Sequence, residues 1–350
     1  MRSLQQNYLD ALQFSATQIS TLTRLGEFCG KQDLYRQQMP EVLDTLNRAA
    51  IIESSESSNR MEGVTAPPER IRKLILKSAQ PRNRSEQEIA GYRDALDLLH
   101  ESARDMGFRV NIVLQLHQIV YRYLPGEGGK WKMTDNEIVE KNPDGTVKRI
   151  RFRPVSAVGT PHAMEDLARL YHESANVQSR EPLVLVPLTI LDFLCIHPFT
   201  DGNGRAARLL TLMLLYQSNY EVGRFISLER IIEESKDTYY DTLEASSQHW
   251  HEGSHDVHPW LNYFWGVLIR AYKEFEERVG TVQSGKGSKT RLIRNTVNRK
   301  LLPFAISEIE SDCPGVSREM IRLVLRQMRD EGLLELHGQG RGSKWSRIEP

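Results

Sequence analysis

Residues 197–208, HPFTDGNGRAAR, place a histidine, an aspartate, a glycine-rich loop and two arginines within one short stretch. Glycines let the backbone turn its N–H groups toward a ligand, and a helix that begins there adds unpaired N–H groups and the positive end of its dipole. Such an arrangement favours an anion. A glycine-asparagine-glycine loop is also often only a tight connection between helices, so the loop alone leaves both interpretations open.

The charged side chains of this stretch indicate a ligand with several negative charges. Arg205 and Arg208 are three residues apart on the expected helix, hence on one face, and both are expected to point toward the anion. Asp201 offers a hard oxygen suited to Mg²⁺ shared with phosphate oxygens. His197 is the natural proton acceptor beside it, although a histidine at a helix end can also serve only in hydrogen bonding. Together these residues predict chemistry on a polyphosphate.

Helices are expected on both sides of the stretch. PLTILDFLCI predicts a buried helix that ends at His197 and Pro198, because proline disfavours a helical conformation at the residue before it. GRAARLLTLMLLYQ predicts a second helix, which begins after the asparagine and the glycines. Phe199 is most simply an anchor in the core.

Helical periodicity dominates the rest of the chain, so the predicted fold is mainly α. YRDALDLLHESARDM, NIVLQLHQIVYRYL and AMEDLARLYHESANV place apolar residues at steps of three and four. Residues of about 130–155 are the exception, because NPDG between alternating segments predicts a β-hairpin. This hairpin could lie over residues 197–208, or it could be an ordinary solvated hairpin.

Composition fits a soluble globular protein of two or three domains. The chain has 350 residues, 39% of them hydrophobic, and its 46 basic and 46 acidic residues cancel, so no overall field attracts a charged partner. Its three cysteines lack paired spacing, which predicts a reducing compartment without disulfides. The N-terminus has no signal-peptide pattern, and the longest apolar run is too short to span a bilayer. We therefore expect a cytoplasmic protein with no membrane partner.

The stretch HPFTDGNGRAAR resembles the signature of the Fic (filamentation induced by cAMP) family, which reads HPF, any residue, Asp or Glu, GNGR, two residues, Arg. It agrees at every fixed position. The resemblance implies a Fic-type helical bundle with a β-hairpin flap, and transfer of AMP from ATP to a Ser, Thr or Tyr hydroxyl of a protein, including the protein itself. It also implies that a homodimer is possible.

The same resemblance assigns a role to each motif residue. His197 would deprotonate the acceptor hydroxyl, and Asp201 would hold Mg²⁺ between the α- and β-phosphates. The remaining residues would bind ATP: Asn203 with the backbone around Gly202 and Gly204 at the α-phosphate, Arg205 at the β-phosphate and Arg208 at the γ-phosphate.

Two further segments fit a Fic protein. Residues of about 130–155 resemble the flap that pairs with an extended segment of the target by main-chain hydrogen bonds. SLERIIEESKDTYYDTLEAS resembles the helix after the motif, in which an aromatic side chain lies near adenine. Tyr239 or Tyr240 could fill that place, and packing in the core is an equal alternative for either.

SSESSNRMEGV, residues 54–64, holds Ser58 and Glu62 four residues apart, followed by Gly63. On a helix this spacing puts Ser58 and Glu62 on one face, and Gly63 would end the helix in a left-handed conformation. By itself this is a common helix ending. It also resembles the inhibitory motif of the Fic family, in which Glu62 would pair with Arg208 and so block the site of the γ-phosphate.

The C-terminal part has its own organisation. GTVQSGKGSKT, residues 280–290, predicts a linker. Residues 281–350 contain 13 basic and 8 acidic residues, a net charge of +5. Residues 291–350 resemble a winged helix-turn-helix domain, with Ser317 as the N-cap of its second long helix and residues 341–344 near the tip of the wing. Arginines at 318, 322, 326 and 329 could contact DNA, but interspersed acidic residues favour a solvated face.

HWHEGSHDVH offers four histidines, His249, His251, His255 and His258, which could bind a transition metal. The segment is polar and lacks helical periodicity, so a surface loop is the preferred interpretation and no metal is assigned.

The predicted division is therefore an N-terminal helical segment, residues 1–100, with the inhibitory motif at 58–63, a Fic core, residues 101–279, the linker, and the winged-helix-like domain. The expected function is adenylylation of protein, dependent on ATP and Mg²⁺ and restrained by Glu62. Two alternatives stay open. One is removal of AMP from modified protein, and the other is a DNA-binding regulator in which the Fic core senses nucleotide.

Overall fold

The computed structural model describes residues 2–38, 40–124, 126, 128–142, 144, 146–177, 180–283, 288–298, 300, 303–313, 316–338 and 343–348. Within these ranges the chain is mainly helical and carries two small antiparallel sheets, which confirms the predicted fold class. None of the helices in the described ranges is both long enough and apolar enough to cross a membrane.

The helices of the described residues are α1 Gln6–Ala11, α2 Ala16–Gln38, α3 Pro40–Met61, α4 Pro68–Ile75, α5 Arg84–Ser102, α6 Val110–Val120, α7 Thr160–Ala175, α8 Pro182–Ile196, α9 Asn203–Gln217, α10 Leu228–Glu234, α11 Lys236–Ser247, α12 His258–Gln283, α13 Ser288–Asn298, α14 Ile306–Asp312 and α15 Arg318–Asp330. Strands β1 Ile138–Lys141 and β2 Val147–Phe152 form one hairpin, and strands β3 Leu334–His337 and β4 Lys344–Arg347 form the other.

The chain divides into two compact units. The first contains residues 1–29 and 46–272, and the second contains residues 30–45 and 273–350. This division differs from the predicted one, because most of residues 1–100 pack into the same unit as residues 101–272. Of the predicted linker, residues 280–283 end α12, residues 288–290 begin α13, and residues 284–287 lie outside the described residues.

Helices α8 and α9 form the centre of the first unit. Nearly every residue of both helices is buried, and α8 contacts α7, α9 and α11. Helix α8 ends before His197, as predicted, and α9 begins at Asn203, slightly earlier than predicted, so that it includes the asparagine and Gly204. The loop that carries the motif is therefore held at each end by a helix that cannot move without disturbing the core.

A proline inside α8 is tolerated because α12 supplies the missing hydrogen bonds. Pro187 has no N–H for the carbonyl of Leu183, four residues earlier. That carbonyl accepts a hydrogen bond from Trp265 Nε1 at 2.8 Å instead, and the carbonyl of Pro187 accepts one from Trp260 Nε1 at 2.7 Å. The two indoles thus fix α8 against α12 within the first unit.

Helix α5 approaches α6 very closely at Gly91. A Cβ atom at this position would overlap the carbonyl oxygen of Val120, at the end of α6. The close approach brings Glu88 of α5 and Tyr121, the residue after α6, to the same side of α9. Backbone proximity at Gly91 therefore positions polar side chains beside the motif helix.

The β1–β2 hairpin confirms the predicted hairpin within residues 130–155. Its strands pair antiparallel, with Ile138 opposite Phe152, and two residues of its connection, at 143 and 145, lie outside the described residues. Arg149 of β2 forms an ion pair with Glu244 of α11, and Arg151 Nη1 lies 3.3 Å from the same carboxylate. These ion pairs hold β2 against α11.

After α12, the described residues of the second unit form α13, a bridge between Phe304 and Trp345, α14, α15 and the β3–β4 hairpin, and the likeness to a winged helix stays a prediction. Ser317 accepts a hydrogen bond from the N–H of Met320 at 3.3 Å, which confirms it as the N-cap of α15. Of the predicted wing tip, residues 341 and 342, including Arg341, lie outside the described residues, and residue 344 begins β4.

The arginines of α15 lie on its exposed face, and two of them are paired with acidic residues. Arg318 contacts Glu310 at 2.9 Å, and Arg329 contacts Asp330 at 2.8 Å. Such pairing reduces the positive charge that a phosphate backbone would meet. DNA binding by this unit stays an alternative that these contacts do not favour.

Candidate active site

His197 follows the last residue of α8 in a left-handed conformation, with φ +50° and ψ +61°. This conformation is unusual for a residue with a side chain and turns the chain sharply into the motif loop. Nδ1 lies 3.3 Å from the carbonyl oxygen of Leu194, one turn earlier in α8. A carbonyl only accepts, so Nδ1 carries the hydrogen and Nε2 keeps its lone pair.

The environment of His197 keeps its imidazole neutral. Burial lowers the pKa of His197 to about 4, and the positive charge of Lys132 acts in the same direction. At neutral pH the ring is therefore a proton acceptor, as the sequence predicts.

The motif loop is fastened by Phe199 and Asn203. Phe199 is fully buried and stacks on the ring of His117, with centroids 3.6 Å apart, which confirms it as a core anchor. Asn203 Oδ1 accepts from the N–H of Phe199 at 2.9 Å, and Nδ2 donates to its carbonyl at 2.7 Å. Both polar atoms of the Asn203 side chain thus help to close the loop, and its role at the α-phosphate stays a prediction.

Gly202 is required by its conformation and by its neighbours. Its φ is +79°, and a Cβ atom would lie 2.8 Å from the hydroxyl oxygen of Tyr121 and 3.2 Å from His117 Nε2. Gly63 has a similar φ of +77°, but open space surrounds its Cβ position. The two glycines share a positive φ and differ in the crowding around their Cβ positions.

We expect Gly202→Ala to lower the free energy of unfolding by about 3 kcal/mol, because backbone strain and overlap with Tyr121 add. Gly63→Ala is the matched control, with strain alone, and should lose about 1 kcal/mol. Urea unfolding of both variants beside the wild type measures the difference. Equal losses would show that Tyr121 does not crowd this loop.

Asp201 presents a carboxylate at the surface of the loop. Its side chain is 64% exposed, Oδ1 accepts from the N–H of Gly202 at 2.8 Å, and Oδ2 accepts from the hydroxyl of Tyr121 at 2.8 Å. Partial burial opposes its ionisation, but the hydroxyl of Tyr121 and the charge of Arg205 outweigh burial and lower the pKa of Asp201.

Asp201 fits Mg²⁺ bound together with phosphates. No group of three or more metal-ligating side chains occurs among the described residues. Mg²⁺ is commonly held by one or two carboxylates, with phosphate oxygens and waters as its other ligands. An exposed, ionised Asp201 beside an anion-binding helix start matches that donor set.

The two motif arginines face different neighbours. Arg208 lines the cavity described below, whereas Arg205 is 1% exposed and forms an ion pair with Glu88 and a hydrogen bond with the hydroxyl of Tyr121 at 2.6 Å. The expectation that both arginines point toward the anion is therefore wrong for Arg205. Helix α9 is buried on all sides, so residues three positions apart contact different elements.

Residues 58–63, the predicted inhibitory motif, end α3 as the sequence predicts. Gly63 is left-handed, its N–H donates to the carbonyl of Arg60 at 3.0 Å, and the N–H of Val64 donates to the carbonyl of Asn59 at 2.9 Å. This pair of bonds is a Schellman motif, which stops the helix and leaves Glu62 at its tip.

Ser58 and Glu62 both bind Arg208. Nε of Arg208 donates to Ser58 Oγ at 2.8 Å, and Nη2 donates to the Ser58 carbonyl at 2.9 Å and to Glu62 Oε1 at 2.7 Å. Burial by itself would lower the pKa of Arg208, but the charge of Glu62 beside it raises that pKa. The predicted contact between Glu62 and Arg208 is thus present.

The carboxylate of Glu62 also lies over the first turn of α9. A Cβ atom at Gly204 would overlap Glu62 Oε1, so the absence of a side chain at Gly204 is what admits the carboxylate. The start of a helix attracts negative charge through its unpaired N–H groups and its dipole. Glu62 therefore occupies a place in which a phosphate group would be stabilised.

One cavity of about 200 Å³ collects most of the predicted site residues. Those that line it are Glu62, His197, Asp201, Gly202, Asn203, Gly204, Arg208, Tyr239 and Tyr240. Its apolar wall is formed by Ile138, Phe152, Leu191, Leu194 and Leu243. Hence β1, β2, α8 and α11 enclose an apolar space next to the anion-binding end of α9.

Tyr239 and Tyr240 both reach this cavity, in edge-to-face contact at 5.2 Å. Tyr239 is 3% exposed and also packs against Trp260, so it belongs to the core as well. Core packing is therefore observed for Tyr239, and a place near adenine stays a prediction for each tyrosine.

Sequence reasoning missed His117 and Tyr121, which support the loop from α6. His117 Nδ1 accepts from the N–H of Gly129 at 3.0 Å, so Nε2 donates to the carbonyl of Asp201 at 2.9 Å. The hydroxyl of Tyr121 bridges Asp201 and Arg205. A signal exists in the sequence, because these polar aromatic residues are four apart where α6 ends, and that spacing puts them on the same side of the helix.

The four histidines of residues 249–258 do not form one cluster. His255 is buried against Ser3 with Nε2 at 2.9 Å from Oγ, His251 Nε2 contacts the carbonyl of Arg153 at 2.8 Å, and His258 Nδ1 contacts Gln18 at 3.0 Å. The surface-loop expectation is wrong for His255, because contacts with the N-terminal residues bury it.

Residues 107–215 match the Fic/DOC family. The chain is 24% identical over 166 residues to protein adenylyltransferase fic-1 of Caenorhabditis elegans, and 23% identical over 220 residues to protein adenylyltransferase Fic of Nematostella vectensis. These alignments cover 47% and 59% of this chain but only 29% and 44% of the two relatives, so the chain spans less than half of their length.

Solved structures share the fold. A Fic family protein from Desulfovibrio desulfuricans G20 superposes with a TM-score of 0.63 at 17% identity, over 97% of this chain and 98% of that one. A Fic domain containing signaling protein from Bacteroides thetaiotaomicron VPI-5482 superposes with a TM-score of 0.61 at 22% identity, over 75% of this chain and 98% of that one. Residues 107–215, which include the intact HPFTDGNGRAAR motif, thus form a domain that matches the Fic/DOC family.

Proposed function

We propose that the protein transfers AMP from ATP to a hydroxyl group of a protein, and that Glu62 restrains this activity. The observation that carries the proposal is a neutral histidine and an arginine-flanked helix start in one cavity. His197, Gly204 and Arg208 line that cavity together. The two relatives are protein adenylyltransferases by name, and the similarity, at 24% and 23% identity, supports the same class of reaction here.

The chemistry follows from the free nitrogen of His197. Nε2 accepts the proton of the acceptor hydroxyl while the hydroxyl oxygen forms a bond to the α-phosphorus. The bond from that phosphorus to the oxygen bridging to the β-phosphate breaks, and pyrophosphate leaves with the electron pair. The proton remains on His197 until it passes to solvent. Positioning and charge stabilisation supply most of the rate acceleration in such a displacement.

Charge on the phosphates is met by residues at the start of α9. Arg208 is the motif arginine that faces the cavity, and the backbone of residues 202–204 offers the helix N-terminus. When bound, Mg²⁺ would neutralise phosphate oxygens, and Asp201 is the residue that would hold it. Arg205 acts here as a positioning residue through Tyr121 and Asp201, and a direct contact with the β-phosphate would require it to leave Glu88.

Glu62 opposes ATP binding in two ways. It neutralises Arg208, and its carboxylate lies over the turn in which a phosphate would bind. A phosphate at the same place would be repelled by the negative charge of Glu62, and Arg208 would already be paired. We therefore infer that most of the protein is inactive until Glu62 moves.

The β1–β2 hairpin is the proposed docking strand for the target. Ile138 and Phe152 line the cavity, while the side chains of β2 from 147 to 150 are exposed. A target segment that pairs with this hairpin would bring a Ser, Thr or Tyr hydroxyl near Nε2 of His197. Since no particular side chain of the target is required for main-chain pairing, a hydroxyl of another copy of this protein can serve, and self-modification is expected.

Transfer is tested with ATP labelled separately at the α- and γ-phosphates, incubated with Mg²⁺ and the Glu62→Gly variant, followed by intact mass. We expect incorporation of the α-label alone and the mass of one or more AMP groups. Incorporation of the γ-label would mean phosphoryl transfer. Loss of AMP from a protein modified beforehand, with no incorporation of either label, would replace the proposal by AMP removal.

A further inference from the structure

Residues 131–136, between α6 and β1, lie directly against the backbone of the motif loop. The N–H of Lys132 donates to the carbonyl of Pro198 at 2.9 Å, and its Nζ donates to the carbonyl of Ile196, the last residue of α8, at 3.1 Å. Trp131 stacks on Phe199 with ring centroids 5.4 Å apart. This segment therefore contacts the loop on both sides of His197.

Asn136 completes the same arrangement. Its Oδ1 accepts from Lys132 Nζ at 2.8 Å, and its Nδ2 donates to the carbonyl of Phe199 at 3.2 Å and lies 3.5 Å from the carbonyl of His197. Four consecutive carbonyls, those of residues 196–199, thus face donors of Lys132 and Asn136. A left-handed residue with a side chain persists only where its surroundings over-determine it.

Burial of the Lys132 side chain costs folding free energy, so stability alone does not explain a lysine at this position. The residue is 2% exposed, and the partners of its ammonium group are neutral oxygens, the Asn136 amide and the Ile196 carbonyl. Burying a charge among neutral groups costs free energy, and an apolar side chain of similar length would avoid that cost. Burial lowers the pKa of Lys132 to about 8, and the charge of Asp135 only partly opposes this shift.

We propose that Lys132 is a positioning residue of the transfer reaction, which holds His197 in its left-handed conformation and aims Nε2 into the cavity. The inference rests on the proposed function. Asn136 fixes the Lys132 ammonium group and shares the carbonyls of the loop, so the two residues act as one clamp.

The charge of Lys132 adds a second effect on the same histidine. Lys132 disfavours protonation of His197, whereas Glu62 and Asp201 favour it. Since bound ATP would also favour protonation, a fixed positive charge beside the ring preserves the base form during the reaction.

The test compares Lys132→Met with Lys130→Met in the Glu62→Gly background. Lys130 is exposed on the same segment, and its Nζ donates to the carbonyl of Gly126 at 3.3 Å, away from the motif loop. We expect Lys132→Met to lower kcat about tenfold or more with KM for ATP nearly unchanged, because a misplaced base weakens the chemical step and leaves the phosphate site intact. Lys130→Met should match the parent in both constants.

If Lys132 only stabilised the fold, its replacement would change the melting temperature and leave kcat unchanged. We expect Lys132→Met to melt at the same temperature as its parent or higher, since a buried charge is removed. NMR titration of the histidine rings, with His197 identified by its absence in His197→Ala, should show a raised pKa for His197 in Lys132→Met. This measurement does not depend on turnover, so it tests the clamp even if the protein transfers no AMP.

A kcat within about twofold of the parent, together with an unchanged His197 titration, would overturn the proposal. If Lys132→Met fails to fold, Asn136→Asp takes its place, because it keeps the shape of the side chain while it removes the Nδ2 donor. The same loss of kcat and the same rise in the His197 pKa are expected from this variant, and wild-type values for both would equally overturn the clamp.

Discussion

Glu62→Gly is expected to raise the rate of AMP transfer about tenfold or more over the wild type. In the wild type, Glu62 Oε1 lies 2.7 Å from Arg208 Nη2 and covers the first turn of α9. Removal of the carboxylate leaves Arg208 free to meet a phosphate, with Ser58 still holding its Nε. Initial rates of α-label incorporation, measured over a range of ATP concentrations, give the comparison.

The size of this effect follows from the strength of the contact. At the effective dielectric constant of a partly buried site, two opposite charges in contact attract each other by about 4 kcal/mol. The costs of desolvation and of lost side-chain entropy must be subtracted from this value. Glu62 is 26% exposed, so solvent screens part of that interaction. A remainder of about 1.4 kcal/mol already corresponds to a tenfold change in the population that can bind ATP.

Two variants separate charge from space. Glu62→Gln keeps the size of the side chain and removes its charge, so it should activate less than Glu62→Gly. Glu56→Gln is the matched control, because Glu56 lies on the same helix and pairs with Arg60 at 2.8 Å on the surface, and it should leave the rate unchanged. A Glu62→Gly protein no faster than the wild type, with the same affinity for ATP, would contradict the inhibitory role.

Thermal unfolding supplies an independent measure of the same variant. Arg208 is 3% exposed, and loss of Glu62 leaves its charge buried without a counter-charge, so Tm should fall. ATP with Mg²⁺ should restore more stability to Glu62→Gly than to the wild type, because at a given concentration a ligand that binds the folded state more tightly stabilises it more. This difference is expected even before any transfer occurs.

Local chemistry made part of the site predictable from sequence. Pro198 disfavours a helical conformation at His197, and Gly202 before α9 permits its abrupt start, so the histidine was expected at a helix end. Gly63 had to follow the last turn of α3 for the same kind of reason. Each of these features depends on residues within one turn of the chain.

The direction of the arginines could not be predicted in this way. Arg205 and Arg208 share one side of α9 by spacing, but their partners, Glu88 and Glu62, come from helices more than a hundred residues earlier. Because α9 is buried all round, a difference of three positions is enough to place one guanidinium in the cavity and the other behind it. Only the packing of α3 and α5 against α9 decides between them.

The burial of Lys132 could be predicted even less well from the sequence. Nothing in GGKWKMTDN marks this lysine as buried, since lysine is among the residues least often buried. Its burial depends on contact with the end of α8, which is 64 residues away along the chain. Interactions of this kind become visible only when the loop before β1 is placed against the motif.

His197→Ala in the Glu62→Gly background is expected to lower the rate of transfer by about a hundredfold or more, the usual contribution of a general base. His197→Asn is the better-matched variant for structure, because asparagine tolerates the left-handed conformation in which residue 197 stands. Both variants should still bind ATP, since Arg208 and the start of α9 are unchanged. His162→Ala, at a histidine whose side chain is 82% exposed, serves as the control.

The pH dependence of the parent enzyme tests the same assignment. With a pKa of about 4, His197 is almost entirely unprotonated from pH 5 upward, whereas a histidine with an ordinary pKa would lose the base form as pH falls through 6.5. The value of kcat/KM, which reports the free enzyme, should therefore stay nearly constant from pH 7 down to about 5 and fall only as pH approaches 4. Removal of Glu62 strengthens this expectation, because Glu62 raises the pKa of His197. A fall in kcat/KM centred near pH 6.5, or a His197→Asn protein that keeps more than about a tenth of the parent rate, would show that another group takes the proton.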